Sequence, residues 1–459
     1  MVGSCAVILA AGEGKRMKSD RPKVMLNVLF KPMLRWVIDS VLASGTKDIC
    51  AIVGFKEEVI KSYLGNEFET VSQYERRGTG HAVMQAKDFM GKFSGGDVLV
   101  LCGDAPFMDA DTIRTAYEKH ISEGNAATII SAELAEPKGY GRIIRDNGIG
   151  PVLGIVEHKD ASEKQRRIKE INSGAYWFKI DKLLPILDTE HLHNDNAQNE
   201  YYLPEVITIF LKKGYKVNAY KTSNTEAVMG ANDCLQLNSL SSIARKKILD
   251  NLLVSGVEMP CSEGIIIGPD VRIGTNVTIL PGTILKGKTK IGSSCTVGPN
   301  SLVDSCTIGD NTVVNASQCY NSKIGSRVEI GPFAHIRPEC DIGEEVRIGD
   351  YVELKKSKVG SGTKISHLTY IGDTSVGTDV NIGCGCVTAN YDGKSKYKCT
   401  IGNGAFIGCN TNLVAPVKVG ENAVTAAGTT VTADVPDNAL AIGRKRQELK
   451  LGWSKPSKR

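Results

Sequence analysis

Ile267-Gly268-Pro269-Asp270-Val271-Arg272, Ile273-Gly274-Thr275-Asn276-Val277-Thr278, Ile279-Leu280-Pro281-Gly282-Thr283-Ile284: from about Ile265 to about Pro436 the chain reads in sixes. An aliphatic residue opens nearly every hexad, Gly often follows, and a small or β-branched residue sits four places on. The beat returns at Ile291-Gly292, Ile308-Gly309, Ile324-Gly325, Ile342-Gly343, Ile371-Gly372, Ile401-Gly402 and Val419-Gly420. A period of six fits neither a helix nor a long strand. It fits a short strand and a tight turn, three of which make one triangular coil of about eighteen residues. The opening aliphatic points inward and stacks on its equivalent in the next coil. Gly is expected at the corners, in backbone conformations that other residues avoid. About nine coils at roughly 4.8 Å per step make a prism on the order of 45 Å long.

The length of 459 residues suggests two or three domains. A charged fraction of 23% and a hydrophobic fraction of 41% are those of an ordinary soluble protein. A net charge of +5 argues against a nucleic-acid partner. The basic residues do gather at the end: Arg444, Lys445, Arg446, Lys450, Lys455, Lys458 and Arg459. Thirteen cysteines without a Cys-x-x-Cys pair indicate free thiols in a reducing compartment. There is no signal-peptide pattern and no integral membrane segment, so a cytoplasmic protein is expected.

The first segment alternates apolar strands and amphipathic helices. Strands are predicted at Cys5–Leu9, Ile49–Val53, Val98–Cys102 and Ala127–Ser131, with helices at Met33–Ala43 and His81–Phe89. This is the pattern of a doubly wound parallel sheet. Ligands of such sheets lie beyond the carboxyl ends of the strands, and the loops after the first and fourth of these are expected to hold the chemistry. The first loop carries Gly12 and Gly14, but Met17 stands where a dinucleotide fingerprint needs its third glycine. Two glycines with Lys15, Arg16 and Lys23 suit a triphosphate better than a nicotinamide cofactor. A solvated basic loop is the alternative. Asp104, at a strand's carboxyl end, suits Mg²⁺; an Asp before Ala-Pro is otherwise a turn former.

Leu9-Ala10-Ala11-Gly12-x-Gly14-x-Arg16-Met17 with Pro22-Lys23 resembles the signature of sugar-1-phosphate nucleotidyltransferases. Gly78-Thr79-Gly80-His81-Ala82, Leu101-Cys102-Gly103-Asp104-Ala105-Pro106, Gly139-Tyr140-Gly141-Arg142, Gly154–Asp160 and Asn172-Ser173-Gly174 continue the likeness. With the hexads behind them, the whole chain resembles the bacterial family of bifunctional N-acetylglucosamine-1-phosphate uridyltransferases and glucosamine-1-phosphate N-acetyltransferases. The resemblance implies that the solenoid coils left-handed. It implies UTP contacts from Leu9, Ala11, Gly12, Arg16, Lys23, Gln73, Gly78 and Thr79, and a Mg²⁺ held by Asp104 and Asn232. Gly141, Glu157, Asn172 and Asn232 would hold N-acetylglucosamine-1-phosphate. Family members often carry Tyr where Cys102 stands. His81 is expected to cap or pack rather than to catalyse.

The resulting division is a uridyltransferase domain over 1–230, a linker helix over 231–253, a left-handed β-helix over 254–437 and a basic tail over 438–459. On the linker, Leu240, Ile243 and Lys247 are expected to share a face, with Arg245, Lys246 and Lys247 as a solvated basic patch. The solenoid's beat breaks at Thr388–Cys399. It also carries a charged cluster over Tyr351–Leu368, with Glu353, Lys355, Lys356, Lys358 and His367. Extra residues leave such coils on the binding face.

Acyl transfer from a thioester to an amine needs a base, oxyanion donors and cations for a sugar phosphate. His367 can be the base, although a lone His in a strand is more often structural. Arg337, Lys355 and Lys396 can hold the phosphate, and Tyr370, Asn381, Asn390 and Tyr391 the sugar. Ser366–Asp373 and Asn390-Tyr391-Asp392-Gly393 match the family's acetyltransferase motifs. The resemblance then implies His367 as general base with Glu353 as its helper. It implies acetyl-CoA contacts from Cys384, Cys409, Ala427 and Arg444, joined by Asn390 and Tyr391. The family more usually has Ala and Ser at the two cysteines. It also implies a homotrimer with sites shared between prisms, the basic tail closing on CoA and Trp453 packing on the adjacent subunit. The alternative function is a single nucleotidyltransferase with a structural or regulatory solenoid.

Overall fold

The structure, a computed structural model, describes residues 1–453 apart from Val2 and Thr189. Lys455, Lys458 and Arg459 of the basic tail lie outside the described residues. Two compact units divide at Ala244 and Arg245, inside the helix Cys234–Val254.

In the first unit the strands of the main sheet begin, in spatial order, at residues 217, 127, 170, 97, 4, 48 and 69. Ser4–Ala10 lies at the centre, parallel to Asp97–Cys102 on one side and Asp48–Val53 on the other. Its residues are buried almost throughout, which is why it reads as an unbroken apolar run. The sheet is mixed rather than wholly parallel. Glu170–Lys179 enters antiparallel between Asp97–Cys102 and Ala127–Glu133. A bulge between Asn172 and Ala175 interrupts that strand, and bulges of this kind re-aim side chains beside sites. The helix expected over His81–Phe89 is two, Thr79–Met84 and Lys87–Gly91. The break comes where Gln85 N and Ala86 N bond back only three residues, to Ala82 O and Val83 O, each at 3.0 Å.

In the second unit, three parallel sheets of ten, nine and ten short strands stack coil upon coil. The hexad-opening residues form inward columns, one of them Ile267, Leu285, Val303, Cys319, Ile336, Leu354 and Ile371. The residues four places on are buried and small, and their hydroxyls and thiols donate to carbonyls of the next coil. Thr312 Oγ1 reaches Gly325 O at 2.9 Å and Cys386 Sγ reaches Gly408 O at 3.1 Å. Cysteine here stands in for threonine, which accounts for Cys295, Cys306, Cys340, Cys386 and Cys399.

Glycine takes left-handed corners at Gly282, Gly362, Gly385 and Gly404, and among the beat glycines at Gly298 and Gly331, but the other Ile-Gly glycines do not serve that purpose. Further left-handed corners fall to Asn276, Ser294, Asn311, Arg327 and Glu345. The glycine is needed because coils approach too closely for a side chain: a Cβ at Gly360 would sit 2.5 Å from Gly377 C.

The helix Cys234–Val254 buries Leu240, Ala244 and Leu249, whereas Ile243 is half-buried and Lys247 exposed. Leu249, with Ile248 and Leu252, belongs to the solenoid core. Arg245 is not simply solvated. Its guanidinium donates to Ile265 O at 2.7 Å and Ser262 O at 2.6 Å, tying the helix to the first coil.

Candidate functional sites

The first unit holds a cavity of about 430 Å³ at the carboxyl ends of Ser4–Ala10 and Asp97–Cys102. All eight residues expected at UTP line it, together with Asp104, Asn232, Lys15 and Cys102. Gly14 has φ of +68°, and a Cβ there would lie 2.6 Å from Lys23 Cβ, so the turn that brings Lys23 inward requires glycine. Lys23 Nζ pairs with Asp104 Oδ2 and donates to Asn232 Oδ1 at 2.9 Å. Arg16 Nη2 donates to the same Asn232 oxygen at 3.0 Å. Two oxygen donors thus converge on one cation, the donor chemistry that a hard divalent ion takes. Among the described residues no cluster of three or more His, Cys, Asp or Glu is arranged to hold a metal by itself.

Gln73 is buried and its amide donates to Gly78 O at 3.2 Å and lies 3.0 Å from His81 Nδ1. Burial first, then Arg77, hold the His81 imidazolium below its ordinary pKa, so His81 stays neutral and accepts from Gln73. It positions the amide, in line with a packing role.

A second cavity of about 200 Å³ adjoins, lined by Gly141, Glu157, Asn172, Tyr140, Tyr176 and the bulge residues Ser173 and Gly174. Asn232 lines the first cavity instead. Asn172 Nδ2 donates to Tyr176 Oη at 2.6 Å and its Oδ1 accepts Gly174 N at 3.1 Å. Burial, with Asp160 behind it, raises the Glu157 carboxyl above the usual range. The loops that build the two cavities follow the first and third of the expected strands. The fourth contributes through Gly139 and Tyr140 further on. Leu9, Thr79 and Cys102 line both cavities.

In the second unit His367 ends the strand Lys364–His367, its side chain 62% exposed. Its partner is Asp350, one coil earlier: Nδ1 to Oδ1 is 2.9 Å, and the bond to His367 lowers the Asp350 carboxyl's pKa. The expected helper was Glu353. It stands on the neighbouring face, pairs with Tyr370 across the ladder and accepts from Arg337 Nη1 at 2.8 Å. The hexad beat alone carried a signal for Asp350, which is 17 residues before His367.

Arg337, Glu353, Lys355 and Tyr370 share that face. Lys355 Nζ is 3.6 Å from Asp373 Oδ2, and Asn390 Nδ2 donates to the same carboxylate. Asp373 thus anchors both Lys355 and the start of the loop Asn390–Lys398, a role not foreseen. Lys396 reaches back from the loop to Lys355. That contact and its charge lower the Lys396 ammonium's pKa. Two lysines held together are a site for a dianion. Asn381 lies instead on the His367 sheet, between Lys364 and Phe406.

Asp350, His367, Cys384, Cys409 and Ala427 run up one edge of the prism, each directly before a left-handed corner residue: Tyr351, Leu368, Gly385, Asn410 and Gly428. Ladder bonds join successive coils: Leu368 N to Asp350 O at 2.9 Å, Asn410 N to Cys384 O at 2.7 Å, Gly428 N to Cys409 O at 2.8 Å. Arg444 Cδ would lie 3.7 Å from a Cβ on Gly428. With coils about 4.8 Å apart, the edge carries the expected acetyl-CoA residues up to roughly 14 Å beyond the histidine. Tyr391 Oη donates within the loop, to Gly393 O at 2.6 Å. Trp453 is exposed, with Lys450 Nζ 5.5 Å from its ring.

Residues 5–225 match the nucleotidyl transferase family model, and residues 321–356 and 398–433 the bacterial transferase hexapeptide model of six repeats. The stacked sheets are those of a left-handed β-helix. The chain is 48% identical over 453 residues to the bifunctional protein GlmU of Geobacillus sp. strain WCH70, covering 99% of this chain and 98% of that one. It is 49% identical to the GlmU of Caldanaerobacter subterraneus, over 98% of this chain and 97% of that one. To that of Listeria monocytogenes it is 46% identical, over 98% of each.

Proposed function

The chain belongs to the bifunctional GlmU family, and from that premise we propose how its two units divide the work. It is a transferase with two activities that together make UDP-N-acetylglucosamine. One moves acetyl from acetyl-CoA to glucosamine-1-phosphate; the other joins N-acetylglucosamine-1-phosphate to UTP.

The uridylyl step belongs to the first unit. An oxygen of the sugar phosphate attacks the α-phosphorus of UTP, and pyrophosphate leaves. Gln73, Gly78 and Thr79 take the base end, and Arg16 and Lys23 neutralise the triphosphate. Gly141, Glu157 and Asn172 hold the sugar. The oxygen pair of Asp104 and Asn232 would hold Mg²⁺, which when bound supplies further neutralisation of the phosphates. Lys23 lies on that oxygen pair and turns to the phosphates as the nucleotide enters.

The acetyl step belongs to the solenoid. Asp350 accepts Nδ1–H, so Nε2 of His367 is the base. It takes a proton from the ammonium of glucosamine-1-phosphate, the amine attacks the thioester carbonyl, and CoA leaves as its thiol. Arg337, Lys355 and Lys396 hold the phosphate, with Tyr370, Asn390 and Tyr391 around the sugar and Cys384, Cys409, Ala427 and Arg444 along CoA.

Homotrimerisation of the solenoid completes this site. Its support is that the expected sugar-phosphate residues are split over two faces. In addition, Phe333, Tyr351 and Leu368, each more than half exposed, form an apolar ridge beside His367. The rings of Phe333 and Tyr351 stack at 5.6 Å. All three take positive φ, a cost that bulky residues bear when something is gained from it. The free thiols suit the cytoplasm. No helix among the described residues is long and apolar enough to cross a membrane.

The observation that carries two separate chemistries is the His367–Asp350 pair in a unit that a nucleotidyltransferase does not need. His367→Ala is expected to lower acetyl transfer by about 10²–10⁴-fold and leave uridylyl transfer near normal, with Asp104→Ala doing the reverse. Loss of both activities in either variant, in a paired assay of the half-reactions, would reject the division.

A further inference from the structure

Three residues line both cavities of the first unit: Leu9, Thr79 and Cys102. They form the neck through which the sugar phosphate meets the nucleotide. Two of them are committed elsewhere. Leu9 packs against the sheet's core, and the Thr79 hydroxyl accepts Leu203 N at 3.0 Å. Cys102 is the third, directly beside Leu9 in the parallel ladder, at the very end of its strand. Its sulfur faces Gly174 O at a long 3.8 Å, and a Cβ on Gly174 would lie 3.1 Å from it. Glycine at 174 therefore leaves room for the sulfur on that side of the neck. What this side chain contributes to the neck is its size.

The sugar's C1 phosphate must point into this neck for the bond to form. The ring substituent next to C1 is the one on C2, which carries the acylamino group. On the proposed uridylyl reading of this cavity, we infer that Cys102 is the residue that sets how large a 2-acylamino group the enzyme accepts. Its small side chain admits acyl groups longer than acetyl, and a bulky residue there would exclude them. One methylene in such a pocket is worth about 10–200-fold in kcat/KM.

The test is a size series at this position in the full chain: Cys102→Ala, Cys102→Ser, the native Cys, Cys102→Leu and Cys102→Phe. The readout is kcat/KM for uridylyl transfer to N-acetyl-, N-propanoyl- and N-butanoylglucosamine-1-phosphate. The acetyl-over-butanoyl ratio is expected to rise at least tenfold from Cys to Phe, to hold in Cys102→Ser and to fall in Cys102→Ala. A ratio that ignores side-chain size overturns the inference. The thermal transition of the first unit reports its folding, so a variant that has lost that transition is set aside and the remaining members decide. A native chain that transfers no uridylyl group to the N-acetyl sugar would instead reject the reading on which the inference rests.

Discussion

Asp350 and Glu353 are three residues apart, yet they face different substrates' worth of chemistry. Asp350 lies under His367 and Glu353 under Tyr370, because the chain turns a corner at Tyr351 between them. Asp350→Asn is expected to lower kcat of acetyl transfer about tenfold or more by releasing the imidazole's tautomer, with KM for glucosamine-1-phosphate little changed. Glu353→Gln, which frees Arg337, is expected to move KM instead. Equal losses of kcat in both would sink the pairing. Glu157 is informative in another way. Its folded pKa is raised, so the folded chain binds that proton more tightly than the unfolded chain. The penalty of ionisation is absent below about pH 4.3, the unfolded value, and is fully present above the folded one. Glu157→Gln is therefore expected to stabilise the first unit more at pH 8 than at pH 4.5 while lowering uridylyl transfer. Denaturant melts at the two pH values check the sign.

At the scale of elements, the coil is the unit and its tolerance is set by contact between coils. The beat of aliphatic and glycine reports a steric limit as well as a turn. Gly360→Ala brings a methyl to 2.5 Å from Gly377 C and O in the next coil, and backbone on both sides cannot yield as a side chain does. A loss of about 1–3 kcal/mol in solenoid stability is expected. Thermal unfolding followed by a solenoid probe, with the first unit's transition unmoved, measures it. A neutral result would show that the coils can yield at this contact and would remove the steric reason for glycine. The first unit teaches a similar lesson. Four of its strands were legible as apolar runs, but neither the strand Glu170–Lys179 nor its direction was. A buried strand reads alike in either direction, and the connections that decide it pass through the antiparallel pair Gly141–Arg145 and Val152–Val156, which branches from that strand.

At the scale of the whole molecule, the ridge of Phe333, Tyr351 and Leu368 is the surface by which the solenoid is proposed to find its copies. Tyr351→Asp is expected to convert trimer to monomer in sedimentation and to cost most of the acetyl transfer. Uridylyl transfer, which draws its residues from one chain, is expected to persist. A trimer that survives with full acetyl transfer would move the interface elsewhere.

The sequence by itself determined the period, the inward columns and the two kinds of unit, because repetition and burial are written in neighbouring residues. It also determined that Gly12, Gly14, Lys15, Arg16 and Lys23 gather at one loop of the larger cavity, since a glycine-rich loop at a strand's end is a local device, whereas Gln73, Gly78, Thr79 and Asn232 were reached only through the family resemblance. The tertiary structure alone decided which residue lies above which. Coils here close after 16 to 18 residues and after 25 where the loop enters, as the bonds Asp310–Ser326, Thr275–Ser293 and Thr378–Asn403 show. The partner of a side chain one coil away depends on every turn between, and a histidine's neighbour is fixed only when the stack is built.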